Sequence, residues 1–240
     1  MDFQTLLYDE TTKLPDVFKP EDIQTMLHVV QNSNDYLKNI WGEFMRSRDI
    51  AILMTIYLLG LRPNEACALR FDDFDVRNAT VKIRGENNKV KKDRVIPIPN
   101  ELMIYYTNYM KFRREHFWKG SKHLFPSFAN QCISAERWKH IMREKILKPA
   151  GLWIAPIDNG TGNKTPKFRS YTLRHTRATE ILNKTNDIWL VSNFLGHAKL
   201  NSTRVYLHKS DKYMDYMRNA INSANQHSNK IPMEKLGVEN

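Results

Sequence analysis

The segment AILMTIYLLGL, from Ala51 to Leu61, is apolar on every side of a helix. Such a helix has no face to show to water and must be surrounded by protein or by lipid. Its length is about 16 Å as a helix, roughly half of a bilayer's hydrocarbon core. Arg46, Arg48 and Asp49 flank it on one side and Arg62 on the other. The segment therefore reads as the central helix of a globular core. With 240 residues, 41% of them hydrophobic, the chain can build one substantial core and at most a small appendage.

The remaining elements follow from periodicity and punctuation. Pro20-Glu21-Asp22 opens a helix that runs to about Gln31, with its acidic residues in the first turn. The core helix extends from about Asn34 to Leu59, where Gly60 ends it, and Arg62-Pro63-Asn64-Glu65 starts another. ATVKIRG and DRVIPIP alternate as strands around the polar loop ENNKVKK, and Pro97 places the second at a sheet edge. ELMIYYTNYMKFRREHFW and SAERWKHIMREKILK read as helices, and APIDNGTGNKTPKF as a loop. A helix with the sequence SYTLRHTRATEIL follows. Asp187 to Leu195 makes a short helix turned by Gly196, and Ser202 or Thr203 caps a helix holding Tyr206. A last helix covers roughly Lys212 to Ala224. The expected fold class is mainly α with a small antiparallel β-sheet, an α+β arrangement. Residues 1–13 form a lead-in, 14–224 one domain, and 225–240 a polar, mobile tail.

Charge is lopsided, with 37 Lys+Arg against 26 Asp+Glu, a formal +11. Such a balance suits a polyanionic partner, because each neutralised phosphate releases a condensed counterion, and it also suits a merely basic soluble protein. Cys67 and Cys132 make neither a disulfide framework nor a zinc spacing, so a reducing compartment is expected. MDFQTLLYDE has neither the basic start nor the apolar run of a signal peptide. A cytoplasmic protein is the expectation.

Several polar residues interrupt apolar patterns, and each has a plain structural reading. Arg62 can pair with Glu65 one turn on. Lys89, beside Lys91, Lys92 and Arg94, can be a solvated basic turn. Arg174 can lie on a helix surface, His197 can cap a helix, and Tyr206 can be a core aromatic. Asp72, Asp73 and Asp75 read as a solvated loop rather than a metal site.

Taken together and in order, LLGLRPNEACAL, NKVKKDRVIPIP, YTLRHTRATEIL and FLGHAKLNSTRVYLH resemble the catalytic domain of the tyrosine recombinases, the phage-integrase-type family. The resemblance covers roughly Leu14 to Lys212 and implies the tyrosine-recombinase catalytic-domain fold. Carried over position by position, the first active-site arginine falls on Arg62 with Glu65 as its supporting acid. The hairpin lysine falls on Lys89, the second arginine on Arg174, the LGH histidine on His197 and the nucleophile on Tyr206. One position departs, because Tyr171 stands where the family usually has histidine. A phenol, with a pKa of about 10 in water, donates a hydrogen bond well but is a poor proton acceptor at neutral pH. Tyr171 is thus a donor at best, and His175 supports the helix start.

The resemblance implies a site-specific DNA recombinase and integrase chemistry. Tyr206 attacks a phosphodiester to give a 3′-phosphotyrosyl intermediate, without metal, ATP or other cofactor. Two guanidiniums can meet the charge gathering on the non-bridging oxygens, and Lys89 can protonate the leaving 5′-oxygen. Lys82, Arg84, Lys91, Arg137, Lys139, Lys167 and Arg169 are candidate DNA contacts, with Arg143 and Lys164 beside them. The implied partners are double-stranded DNA, further protomers in a tetramer on DNA, and an accessory DNA-binding protein, with no membrane. Tyr213, Met214, Tyr216, Met217 and Ile221 form a stripe that can dock on a neighbouring protomer or on its own domain. Only about a dozen residues precede LPDVFKPEDIQ, so this chain is a short recombinase or a fragment, with weak DNA binding of its own expected. Two other functions fit the same motifs: a catalytically impaired DNA-binding regulator, and a relaxing enzyme like the type IB topoisomerases.

Overall fold

The computed structural model describes residues 16–88, 91–116, 121–127, 131–158 and 164–197. The lead-in, Lys89, the Ser202/Thr203 cap, Tyr206, the helix expected at Lys212 to Ala224 with its stripe, and the tail lie outside the described residues.

The core helix is α2 (Ile40–Leu58), and it is buried without interruption from Ser47 to Ile56. Four helices surround it: α1 (Pro20–Asn32), the short α3 (Pro63–Cys67), α4 (Asn100–His116) and α6 (Ser170–Thr185). The helix begins at Ile40 rather than at the expected Asn34. The Asn39 side chain caps it by accepting the Gly42 N–H at 3.0 Å. Gly42 also lies so close to the Leu37 backbone that a Cβ would stand 1.7 Å from the Leu37 carbonyl oxygen. The preceding residues therefore turn back on the helix start instead of extending it.

Arg48 and Asp49 do not flank the buried part of this helix; they are inside it. Arg48 donates Nε and Nη2 to Asp49 Oδ1 at 3.0 and 2.8 Å, and the Tyr36 hydroxyl donates to Oδ2 at 3.0 Å. Arg48 Nη1 reaches the Pro126 carbonyl at 3.4 Å. Burial is tolerated because each charge meets the other and the remaining polar atoms find partners.

The sheet is antiparallel in the order β1 (Phe74–Asp75), β2 (Thr80–Ile83), β3 (Arg94–Pro97). Val81 pairs with Phe74 on one side and Ile96 on the other, and all three are buried. Pro97 lies on an edge strand, where its missing N–H costs no ladder bond. Strand β1 has two residues, too few for alternation to reveal it. Asp73 corrects the reading of the acidic run as a solvated loop. It is 3% exposed and accepts from Arg84 Nε at 2.7 Å and from the Arg70 backbone N–H at 2.8 Å.

The hairpin loop is closed from both sides. Asn88 donates Nδ2 to the carbonyls of Arg84 and Lys92 at 3.2 and 2.8 Å, and Asp93 accepts the Gly85 N–H at 2.7 Å.

The expected single helix over SAERWKHIMREKILK is α5 (Ala135–Ile141) followed by a π-helical turn at Met142–Leu147. The stretch expected to be loop contains a short antiparallel ladder, β4 (Ile157–Asp158) against β5 (Lys164–Thr165). Helix α6 ends on Asn186, which has the left-handed conformation (φ 52°), and α7 (Ile188–Leu195) follows. The Asp187 side chain caps α7 by accepting the Leu190 N–H, and Gly196 ends it at φ 65°. Among the described residues, no helix is long and apolar enough to cross a membrane.

Removing Asp49 strands a buried guanidinium and a buried phenol together. Asp49→Ala is expected to destabilise the chain by about 3–5 kcal/mol, read from urea unfolding midpoints.

Candidate active site around Glu65

Three elements that are distant in sequence meet at one carboxylate. Glu65 lies in α3, whose first-turn proline follows Arg62, the residue capping the helix. Its side chain is fully buried. Oε1 accepts from Arg62 Nη1 at 3.1 Å and from Arg94 Nη1 at 3.0 Å. Oε2 accepts from the Arg62 backbone N–H and from Arg94 Nη2, both at 2.9 Å. Arg174 Nη1 stands 3.8 Å from Oε2. Burial pushes the Glu65 carboxyl upward, but Arg94, the Arg62 N–H and Arg174 outweigh it and hold the group below the usual carboxylate range. One carboxylate among three guanidiniums leaves an excess of two positive charges at this spot.

Arg174 is fully buried in α6. Nη1 donates to the Gly60 carbonyl at 2.6 Å and Nη2 to the Leu195 carbonyl at 2.8 Å. It thus ties the end of α2 to the end of α7. Its Nε is buried with no hydrogen-bond partner. Desolvation, then the charge of Arg62, push its pKa down to about 10, so it remains cationic at neutral pH.

Arg62 and Tyr171 line a common cleft of about 430 Å³, whose walls include Asn64, Asn88 and Lys91. Tyr171 lies in the first turn of α6, and its ring meets His175 edge-on, 4.8 Å between centroids. His197 follows Gly196 and lines a neighbouring cleft of about 330 Å³ with Asn88, Lys92 and Arg94. Its backbone N–H caps α7 through the Ser192 carbonyl at 3.0 Å. Desolvation, then Arg174, Arg62 and Arg94, lower its pKa to about 4; His175 is lowered to about 4 by desolvation, then Arg174 and Arg169. Both imidazoles are neutral at physiological pH.

The structure therefore gathers Arg62, Glu65, Arg174, His197 and Tyr171 in one region. Lys89 and Tyr206 lie outside the described residues, though Asn88 beside Lys89 lines both clefts. Lys91, with φ 57°, has its Nζ 3.4 Å from the Glu86 carbonyl. Lys82 and Arg84 are in ion pairs, with Asp93 at 2.7 Å and Asp73 at 2.7 Å. Arg137 and Lys139 are exposed on α5. Lys167 sits over the Phe168 ring, and Arg169 is exposed at the start of α6. A second groove of about 630 Å³ runs from the first cleft past Tyr171, with Lys139, Arg143, Trp153 and Arg169 in its walls.

Arg94 is the site residue that sequence reasoning left among the basic turn residues. A signal existed: in β3 it alternates with Ile96, placing a charge on the inward face, where it must find a partner.

The architecture matches that of tyrosine-recombinase catalytic domains. The chain superposes on the crystal structure of XerA recombinase with a TM-score of 0.63 at 21% identity, covering 88% of this chain and 64% of that one. It superposes on the catalytic domain of bacteriophage HP1 integrase with a TM-score of 0.52 at 20% identity, covering 85% and 92%. The family itself is settled by sequence. The phage integrase family model matches residues 16–213, and the chain belongs to that family. Among similar relatives, the tyrosine recombinase XerA of Pyrococcus horikoshii is 31% identical over 195 residues, 80% of this chain and 60% of the relative. The tyrosine recombinase XerD of Yersinia pestis is 30% identical over 163 residues, 67% of this chain and 50% of the relative. The chain thus spans half to three-fifths of the length of these relatives.

The lowered histidines link folding to acid. Between about pH 6.5 and pH 4 the unfolded chain binds protons that folded His175 and His197 refuse. Their contribution to stability is complete above the unfolded pKa and is lost as pH falls through the folded one. The urea midpoint is expected to drop between about pH 7 and pH 4.5, and less steeply in His175→Gln.

Proposed function

We propose that this chain cleaves and rejoins DNA strands as a site-specific recombinase, with Tyr206 as nucleophile. One observation carries the reading: Arg62, Arg174 and His197 come from three distant segments to one cationic site around a buried Glu65. That site adjoins the cleft of about 430 Å³ lined by Arg62 and Tyr171, which has room for a phosphate group and its sugar. The relatives named as tyrosine recombinases support it, as does a TM-score of 0.61 at 24% identity to XerH site-specific recombinase bound to its difH substrate.

In this mechanism Tyr206 Oη bonds to phosphorus, the P–O5′ bond breaks, and the 3′-phosphotyrosyl link forms. Lys89 Nζ gives a proton to the departing O5′. The phenolic proton passes to His197 or to a water. His197 is a weak base first because it is desolvated and then because cations surround it, and an incoming phosphate offsets the cations' part and raises its basicity. Attack by a 5′-hydroxyl on the phosphotyrosine reverses every step, so the bond energy is kept.

Arg62 spends one side-chain N–H on Glu65 and lines the cleft, so it meets a phosphate oxygen first. Arg174 exchanges a carbonyl for a phosphate oxygen as DNA seats. Tyr171 donates its hydroxyl hydrogen to a non-bridging oxygen. Arg137, Lys167, Arg169 and Lys91 take phosphates along the duplex, and the exposed Lys139 joins them by exchanging Glu136 for a phosphate, whereas Lys82 and Arg84 hold closer acidic partners. Further protomers assemble on the DNA to exchange strands.

Capture of covalently linked DNA from cells tests the reading. The unaltered chain is expected to yield a protein–DNA adduct that Tyr206→Phe lacks and that Arg62→Ala reduces about a hundredfold or more. DNA binding with no adduct would favour a regulator of the same fold. Relaxation of plasmids lacking the captured sequence would favour a topoisomerase-like enzyme.

The leaving-group proton can be tested separately. On the captured sequence carrying a bridging 5′-sulfur, a thiolate leaves without protonation. Lys89→Ala is expected to regain most of its cleavage there, and Arg62→Ala is not. Recovery by Lys91→Ala or Lys92→Ala instead would move the general acid to that residue.

A further inference from the structure

We propose that Arg94 is a positioning residue that frees Arg62 for the phosphate by holding Glu65 in a two-pronged grip. This inference rests on the strand-transfer reading and adds a residue to it.

The Glu65 carboxylate is fully buried and has two guanidiniums within hydrogen-bond reach. Arg94 binds it through both terminal nitrogens, at 3.0 and 2.9 Å. Arg62 binds it through one, at 3.1 Å. A buried carboxylate left with Arg62 alone would draw that guanidinium into the two-pronged geometry, the strongest arrangement open to the pair. Arg62 would then be neutralised and turned from its cleft. Arg94 occupies that geometry first.

Arg94 does not line the cleft that Arg62 and Tyr171 share, so it acts on a phosphate there through Glu65 and Arg62. Its own place is fixed from the other side. A Cβ on Gly196 would come within 2.8 Å of Arg94 Cδ and 3.1 Å of Cζ, so the side chain lies flat against the Gly196 backbone next to His197. Strand β3 supplies Arg94 one residue after Asp93, which closes the loop bearing Lys89. The same side chain thus sets Glu65 relative to the hairpin and to the Gly196–His197 turn. A lysine offers charge but no fork and cannot reproduce the grip.

The test uses orthovanadate, which takes the five-coordinate geometry of phosphoryl transfer, with the full chain and no DNA. Affinity is read by vanadium NMR after each variant is shown to unfold cooperatively. Arg94→Lys is expected to weaken vanadate binding roughly tenfold. In a Glu65→Gln background the carboxylate no longer competes for Arg62, and Arg94→Lys is expected to change little. A residue that merely supports the fold would show the same cost in both backgrounds. Equal vanadate affinity for the unaltered chain and Arg94→Lys, an equal cost in both backgrounds, or no vanadate binding by the unaltered chain would each overturn the proposal. Failure of strand transfer shows separately, as absence of a Tyr206-dependent adduct.

Discussion

A single buried carboxylate organises the cationic region of this protein. Glu65 accepts hydrogen bonds from Arg62 and Arg94 and stands within ion-pair distance of Arg174. Without it, three guanidiniums would repel one another in a poorly solvated space. With it they coexist and leave a surplus of positive charge. In the proposed reaction, such a surplus would meet a phosphodiester passing through a doubly charged transition state. The carboxylate itself depends on the fold, since α3 must begin at Pro63 for the Arg62 N–H and the Glu65 side chain to meet.

Much of the fold was legible in the sequence because it follows from periodicity. The apolar run AILMTIYLLGL became the buried C-terminal part of α2 and the turn that follows it, and the alternating runs on either side of ENNKVKK became β2 and β3. What escaped depended on contacts between segments. Nothing near Asn34 announces that Gly42 will press against Leu37. Asp73 looks like one more acid in FDDFD until Arg84 folds onto it from the next strand. Strands of two residues, as in β1, β4 and β5, carry no periodic signal.

The site divides in the same way. Arg62, Glu65, Arg174 and His197 were marked by local motifs, and the structure brings them together. Arg94 sat unremarked among the lysines of its loop, because its importance lies in a partner 29 residues earlier. Arg174 differs from a simple exposed clamp: it faces inward and donates through its two terminal nitrogens to two backbone carbonyls. Its motif identifies the residue but carries no information about those carbonyls, which belong to Gly60 and Leu195.

Arg62 follows Leu58, the last residue of the core helix, by only four positions, and Leu59, Gly60 and Leu61 in between are buried. Its backbone is therefore mounted at the end of the buried core helix rather than on a surface loop. Aiming accuracy at the root of that side chain thereby becomes a property of the hydrophobic interior.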